Sequence, residues 1–361
     1  NLFAPSILCE NIQTNNSRDV SALDIRTAVK DVVDSVFIRE DEGAEARLTT
    51  NAEIAAAFNG SNAIINGSFD FWQRGTTQNT YGYGSADRWQ NFFVGSTATL
   101  SRQAFDIDQT AAPGEPKYFA RVDATTDGSA GNFVIFSQSI EGANKFAGKT
   151  VTVIFSMKAD AAKDIAVELF QNFGTGGTPS PNQHATPETV SVTDSMATYA
   201  VAIDIPAVTG KTLGTDGNDF LSLYFWLDAG SNFDARSNTL GNQSGIFDFA
   251  QVCVVEGNWT EFPSLPDIPR NHVLERQLCE RYYKVINFYV DFHASGAFQV
   301  GIFQQDHDMR EAPTMSFTTD LVQNLSSTIT TSEATLIKLA LVGSAAGRTY
   351  LYGKITLDAE I

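Results

Sequence analysis

Cationic side chains are scarce. The 361-residue sequence sets 24 Lys and Arg against 42 Asp and Glu, a formal net charge of −18, and nowhere gathers its Lys and Arg into a cluster. Neutralising phosphates needs such a patch, so nucleic acid is excluded as a partner, and the acidic excess reads as solubility and self-repulsion. Cysteine is scarcer still: Cys9, Cys253 and Cys279 are an odd number without metal-type spacing. No disulfide framework is expected. Cys253 in an apolar run and Cys279 in a helical stretch read as buried thiols. His184, His272, His293 and His307 are scattered, no two at a ligand-like spacing, which leaves zinc catalysis unsupported. No apolar run reaches the roughly 20 residues that span a bilayer, and no signal peptide opens the chain, so a protein made in a cytoplasm without membrane insertion is expected.

Motifs that would carry catalysis are also missing. Gly142-Ala143-Asn144-Lys145-Phe146-Ala147-Gly148-Lys149-Thr150 nearly spells a phosphate-binding loop, but it has one residue too many between its glycines. It also leads into an alternating strand instead of a helix N-terminus. Gly241-Asn242-Gln243-Ser244-Gly245 fails as a nucleophile elbow because its serine stands one place late. Asp306-His307-Asp308 reads as a charged surface turn, and no pair of carboxylates among so many is singled out for glycoside hydrolysis. No enzyme is expected.

What the sequence has is apolar surface to bury: 43% hydrophobic and 18% charged residues, with 26 Phe and 10 Tyr. Its length suggests two or three domains. Residues 1–61 differ from the rest by helical spacing, since Ala22, Ile25, Val29, Val32 and Val36 follow the 3-4-3-4 series of a coiled-coil seam, with Ser21 as N-cap and Asp24 at the capping-box position. Two arrangements fit this segment: a self-associating helix, or a short helix packed on its own domain.

Residues 62–265 turn to period two. Val151, Val153, Phe155 and Met157, then Ile165, Val167 and Leu169, then Tyr199, Val201, Ile203 and Ile205 alternate with polar or small neighbours. Turn clusters at 173–181 and 215–218 separate them, so the expected fold is mainly β, an antiparallel β-sandwich or jelly roll. A helical connector over 266–285 is predicted after Pro269, capped by Asn271, with Leu274, Leu278 and Tyr282 on one side. Strands at 288–292, 298–302, 315–317, 336–341 and 350–355 form a small C-terminal β domain, 286–361, whose core gains from oligomer contacts.

One strand offers a candidate site. In Phe220-Leu221-Ser222-Leu223-Tyr224-Phe225-Trp226-Leu227, the residues Tyr224 and Trp226 fall on the face opposite Leu221, Leu223, Phe225 and Leu227. If the leucine face is core, Tyr224 and Trp226 form a platform on which sugar rings stack. If a second layer or an oligomer partner covers that face, they are buried.

Three motifs in order carry a resemblance. Asn62-Ala63-Ile64-Ile65-Asn66-Gly67-Ser68-Phe69-Asp70-Phe71-Trp72-Gln73-Arg74-Gly75 with Ala86-Asp87-Arg88-Trp89, then Cys279-Glu280-Arg281-Tyr282-Tyr283, then Met309-Arg310-Glu311-Ala312-Pro313-Thr314 resemble a domain of bacteriophage tail-fibre and spike proteins. The same region resembles carbohydrate-binding modules of the galactose-binding-like jelly-roll type, through the opening Asn-Gly turn, Gly148-Lys149-Thr150 and Phe247-Asp248-Phe249. The resemblance implies a structural Ca²⁺ shared by Asp70 and Asp248; otherwise Asp70 caps a turn and Asp248 faces solvent. No other cofactor is expected. It makes Trp72, Arg74, Asp87, Arg88 and Trp89 fold-determining, with Asp87 and Arg88 as a structural ion pair.

The function implied is a virion structural protein, a fibre or spike subunit that binds host surface polysaccharide. It would be a homotrimer, joined to other virion proteins through its N-terminal segment after assembly in the bacterial cytoplasm. A purely structural head-fibre or decoration subunit without ligand is the alternative, and a polysaccharide depolymerase the third reading.

Overall fold

The computed structural model describes residues 36–39, 47–50 and 62–360, apart from 115, 261–270, 295–297, 305–308, 324, 334–335 and 344–346. The chain divides into two compact units, Asn1–Gly60 and Ser61–Ile361. In the first, β1 (Val36–Arg39) and β2 (Arg47–Thr50) form an antiparallel pair with Val36 opposite Thr50. Val36, the last position of the expected helical seam, is therefore a strand residue. Its run of β-branched and aromatic residues, Val36-Phe37-Ile38, suits a pleated surface better than a helix. The rest of that seam, and Cys9, lie outside the described residues.

The second unit is an antiparallel sandwich followed by two small sheets. The sandwich strands are β3 (Thr77–Gln78), β4 (Gln90–Val94), β5 (Thr97–Ala104), β6 (Tyr118–Thr125), β7 (Phe133–Glu141), β8 (Thr150–Ala159), β9 (Lys163–Asn172), β10 (Gln183–His184), β11 (Glu188–Val192), β12 (Ala197–Asp204), β13 (Phe220–Ala229) and β14 (Gly245–Glu256). One sheet runs β10-β9-β13-β7-β4, with β11 also on β9, and the other runs β12-β8-β14-β6-β5-β3. The expected antiparallel β-sandwich is thus present, and the inward-facing residues of its strands build its core. Val151, Val153, Phe155 and Met157 of β8 meet Ile165, Val167 and Leu169 of β9 and Leu221, Leu223, Phe225 and Leu227 of β13 in one core.

The opening Asn-Gly turn is pinned to that core. Asn66 is fully buried with a left-handed φ of 57°. Its side chain donates to the carbonyls of Phe71 and Asp87 and accepts from the Phe71 amide, while its own carbonyl accepts the Trp89 indole N–H at 2.9 Å. Gly67 accepts from the Val252 amide at a bulge in β14, and a Cβ on Gly67 would stand 2.0 Å from the Val252 carbonyl oxygen, so no other residue fits there without a backbone shift.

Two short helices occur among the described residues. The first, α1 (Asp234–Ser237), follows a 3-10 turn at Ser231–Phe233; the second, α2 (His272–Glu280), begins where expected, with the Asn271 side chain accepting from the Val273 amide at 2.9 Å. The buried face of α2 is Glu275, Cys279 and Glu280, however, while Leu274 is 48% exposed. Of the predicted Leu274-Leu278-Tyr282 stripe Tyr282 is buried and Leu278 half-buried, and on the helix's buried face the Glu275 carboxylate accepts the Asn66 amide. Burial raises the Cys279 thiol pKa well above its ordinary value.

Beyond α2, β15 (Tyr283–Ala294), β16 (Phe298–Gln304), β17 (Thr314–Gln323), β18 (Leu325–Glu333), β19 (Leu336–Gly343) and β20 (Gly347–Asp358) build three-stranded sheets of order β15-β20-β17 and β16-β19-β18. These strands belong to the same compact unit as the sandwich. Strand β18, Leu325-Ser-Ser-Thr-Ile-Thr-Thr-Ser-Glu, is not among the expected strands, although its Thr residues fit a pleated sheet.

Candidate functional site: the outer face of one sandwich sheet

On β13 the two faces separate as the alternation requires. Tyr224 and Trp226 belong to a second apolar layer with Phe133, Ile135, Ala166, Phe170 and Ala229, on the side away from the main core. The open platform expected of Trp226 is not there. Trp226 is fully buried and Tyr224 is 8% exposed, because the Ser231–Phe233 turn and α1 fold over this end of the sheet. Phe233 lies 5.4 Å from the Trp226 ring and the Arg236 guanidinium 5.1 Å from it. Burial pushes the Tyr224 phenol up to about 12.

Beneath that cover lies a residue that periodicity alone reads as a solvent-facing acid. Glu168 of β9 stands opposite Tyr224 in register and is fully buried. Its Oε2 accepts the Trp226 indole N–H at 2.9 Å and the Arg236 Nη2–H at 3.0 Å. Its Oε1 accepts the Arg236 Nε–H at 3.0 Å and pairs with His184 Nδ1 at 2.8 Å. Four donors fill the acceptor directions of one carboxylate, which offsets the cost of burying it. The other ring nitrogen of His184, Nε2, has no hydrogen-bond or ion-pair partner among the described residues.

From this anchor a row of rings crosses the sheet. Tyr81 meets Phe92 of β4 edge-on at 5.3 Å, Phe92 meets Tyr224 at 5.9 Å, Tyr224 stacks on Phe170 at 5.7 Å, and Phe170 meets His184 of β10 at 4.9 Å. The Gly82 bridge to Asn91 holds Tyr81 at the sheet edge, where it is 57% exposed, and the His184 side chain at the other end is 38% exposed. Sequence reasoning missed Tyr81, Phe92, Phe170 and His184, since only strand order shows that they line up.

Asp70 and Asp248 have separate roles. Asp248 of β14 stands opposite both Arg121 of β6 and Lys158 of β8, accepts the Arg121 Nε and Nη2 donors at 2.7 and 2.9 Å, and lies 3.8 Å from the Lys158 ammonium. Neither is it solvent-facing: it is 2% exposed. Asp70 accepts from the Ser68 hydroxyl at 2.9 Å. A carboxylate already held by two cations makes a poor calcium ligand, and among the described residues no group of three or more His, Cys, Asp or Glu is placed to hold a metal.

The motif residues meet elsewhere, where the sandwich joins β20. Arg88, 1% exposed, does not pair with Asp87; it forms an ion pair with Glu360, donates to the Ser139 carbonyl at 2.5 Å and stacks 3.4 Å over the Tyr282 ring. Arg74 lies 3.1 Å from Glu360 and 3.2 Å from Asp358, and 3.7 Å over the Tyr283 ring. Trp72 donates to the Phe69 carbonyl, and Trp89 stacks on Phe136 at 4.5 Å. Burial opposes the Arg88 cation, but Glu360 outweighs it and holds the guanidinium pKa up. Asp87 instead accepts the backbone and side-chain N–H groups of Gln73 at 2.9 and 2.7 Å.

Beside this junction is a cavity of about 290 Å³ lined by Glu141, Asp216, Asp219, Arg281, Arg310 and Glu311. Its charges satisfy one another: Arg281 and the Tyr282 hydroxyl both donate to Glu141, and Arg310 donates to the Gly217 carbonyl. Burial works against the Glu141 carboxylate, yet those donors outweigh it and lower its pKa. Burial raises the Tyr282 phenol to about 12.

No family model and no curated protein matches the chain. Among solved structures, it is similar to a structure described as CBM4 structure and function, at 17% identity over 53% of this chain and 98% of that one, TM-score 0.29. A family 11 carbohydrate-binding module from Clostridium thermocellum in complex with a β-1,3-1,4-mixed-linked tetrasaccharide matches at 13% identity over 50% and 95%, TM-score 0.30. The CBM22-2 xylan-binding domain from Paenibacillus barcinonensis matches at 11% over 48% and 94%, TM-score 0.30.

The buried Asp87 has a pH signature. Burial, partly offset by the Gln73 donors, raises its pKa from 3.8 to about 6. The folded state therefore holds a proton that the unfolded chain releases, so this group's contribution to stability falls as pH rises from about 4 through about 6. Asp87→Asn removes that slope. In urea unfolding, the variant gains on wild type by on the order of 3 kcal/mol between about pH 4 and about pH 7; a difference constant across that range contradicts a buried, proton-holding Asp87.

Proposed function

We propose that the protein binds an extended polysaccharide across the outer face of the sheet β10-β9-β13-β7-β4. The observation that carries this reading is the ring series Tyr81–Phe92–Tyr224–Phe170–His184, which spans the sheet from edge to edge; its middle rings Tyr224 and Phe170 are buried, and its ends Tyr81 and His184 are exposed and offer the contact surface. Sugar rings present apolar C–H faces that pack on aromatic rings, while the hydroxyl and imidazole edges supply hydrogen bonds. Trp226 supports this surface from below and does not touch the ligand.

Within this reading the protein serves as a bacteriophage fibre or spike subunit whose glycan is the host surface polysaccharide. The three motifs that resemble such proteins support it, and Arg74, Arg88, Arg281, Tyr282 and Arg310 from all three gather at one junction. A fibre subunit is a homotrimer, so light scattering on the full chain at micromolar concentration should return three times its 39.2 kDa mass. A monomer contradicts the fibre role and leaves a single binding module.

Tyr81 tests the binding face itself. It is exposed and packs on one ring, so Tyr81→Ala should leave the melting temperature within a degree or two while weakening polysaccharide binding by about tenfold, the loss of a stacking platform of roughly 1–3 kcal/mol. Affinity electrophoresis in gels containing host polysaccharide reads wild type and Tyr81→Ala side by side. Unchanged retardation removes this face from the binding site.

A further inference from the structure

We infer that the glycan recognised on this face is acidic, with its carboxylate or sulfate group seated on Arg236; this rests on the polysaccharide-binding reading above. A guanidinium carries two parallel donor forks, one formed by Nε and one terminal nitrogen, the other by the two terminal nitrogens. Glu168 occupies the first completely, at 3.0 Å to both Nε and Nη2. Among the described residues Nη1 has no hydrogen-bond or ion-pair partner, and it is not among the buried unsatisfied atoms, so the second fork opens to solvent. The Arg236 side chain is 29% exposed, with its guanidinium 5.2 Å from the Phe170 ring and 5.5 Å from the Tyr224 ring. An unused planar fork thus stands directly over the middle of the aromatic row.

The fork is also rigid. Glu168 and three aromatic rings fix the guanidinium before any ligand arrives, so little side-chain freedom is lost on binding. A planar double donor fits a carboxylate or one edge of a sulfate, and hydrogen bonds to a charged acceptor are about twice as strong as those to a neutral hydroxyl. His184, whose Nε2 has no partner among the described residues and whose ring packs on Phe170, can exchange a hydrogen bond with a sugar hydroxyl. The net charge of −18 opposes an acidic ligand at long range, but at physiological salt such repulsion is screened beyond about 8 Å, so the contact at Arg236 decides.

Matched probes separate charge from backbone: polygalacturonate against its methyl ester, and dextran sulfate against dextran, each titrated calorimetrically into the full chain. The expected result is that the acidic member of at least one pair binds about tenfold or more tightly than its neutral partner. Because removing Arg236 alone would strand Glu168, the variant used is Glu168→Gln with Arg236→Gln, which keeps a neutral side-chain hydrogen bond; its melting curve reports whether it folds. It should abolish the acidic preference, and Arg236→Lys, which keeps charge but loses the fork, should reduce it. Equal binding of acidic and neutral members, or a preference that survives the double substitution, overturns this inference while leaving polysaccharide binding intact. No binding of any probe or of host polysaccharide overturns both.

Discussion

The outer face of the sandwich depends on one buried carboxylate. Glu168 sits with no exposure in the middle of a sheet, where an ionised group without partners would cost several kcal/mol. Trp226 and His184 each contribute one contact to it and Arg236 two, and the three come from different elements: β13, β10 and α1. Meeting that demand draws α1 down over β13, buries Trp226 and sets His184 at the end of the ring series. Taking away Arg236 alone would strip the buried carboxylate of its bidentate cation at a cost of about 3–5 kcal/mol, so this one ion pair ties the four-residue helix to the sheet.

A second polar cluster plays the corresponding part between the sandwich and the strands that follow. Arg74 and Arg88 from the opening motif share Glu360, while Tyr282 and Tyr283 from the second motif lie flat against them. Arg281 and Arg310 then meet Glu141 of β7. The motifs that mark the sequence thus supply joint residues, Arg74, Arg88, Arg281, Arg310 and the Tyr282-Tyr283 pair, side chains suited to stacking and forked ion pairing. The binding face uses none of them.

Much of the sandwich was legible because alternation is local: β8, β9, β12 and β13 follow directly from residues that point the same way on a pleated strand. The Asn271 cap was legible for the same reason. What sequence could not give were facts set by strand neighbours. Asp248 looked like half of a calcium pair, but its opposite residues on β6 and β8 are Arg121 and Lys158. Asp87 and Arg88 are adjacent in sequence, yet their side chains find Gln73 and Glu360. Trp226 was rightly placed out of phase with the core, and only the fold of residues 231–240 shows it covered. Glu168 alternates with the core residues of β9, so nothing local marks it as buried, and the ring series is visible only once β4, β13, β9 and β10 are laid side by side.

The most direct measurement of the binding face is hydrogen–deuterium exchange of the full chain with and without bound polysaccharide. The account predicts added protection confined to peptides covering 80–94, 166–172, 182–186, 220–228 and 233–240. Protection on β12, β8 and β6 of the opposite sheet, or only around Glu141, Arg281 and Arg310, would contradict it.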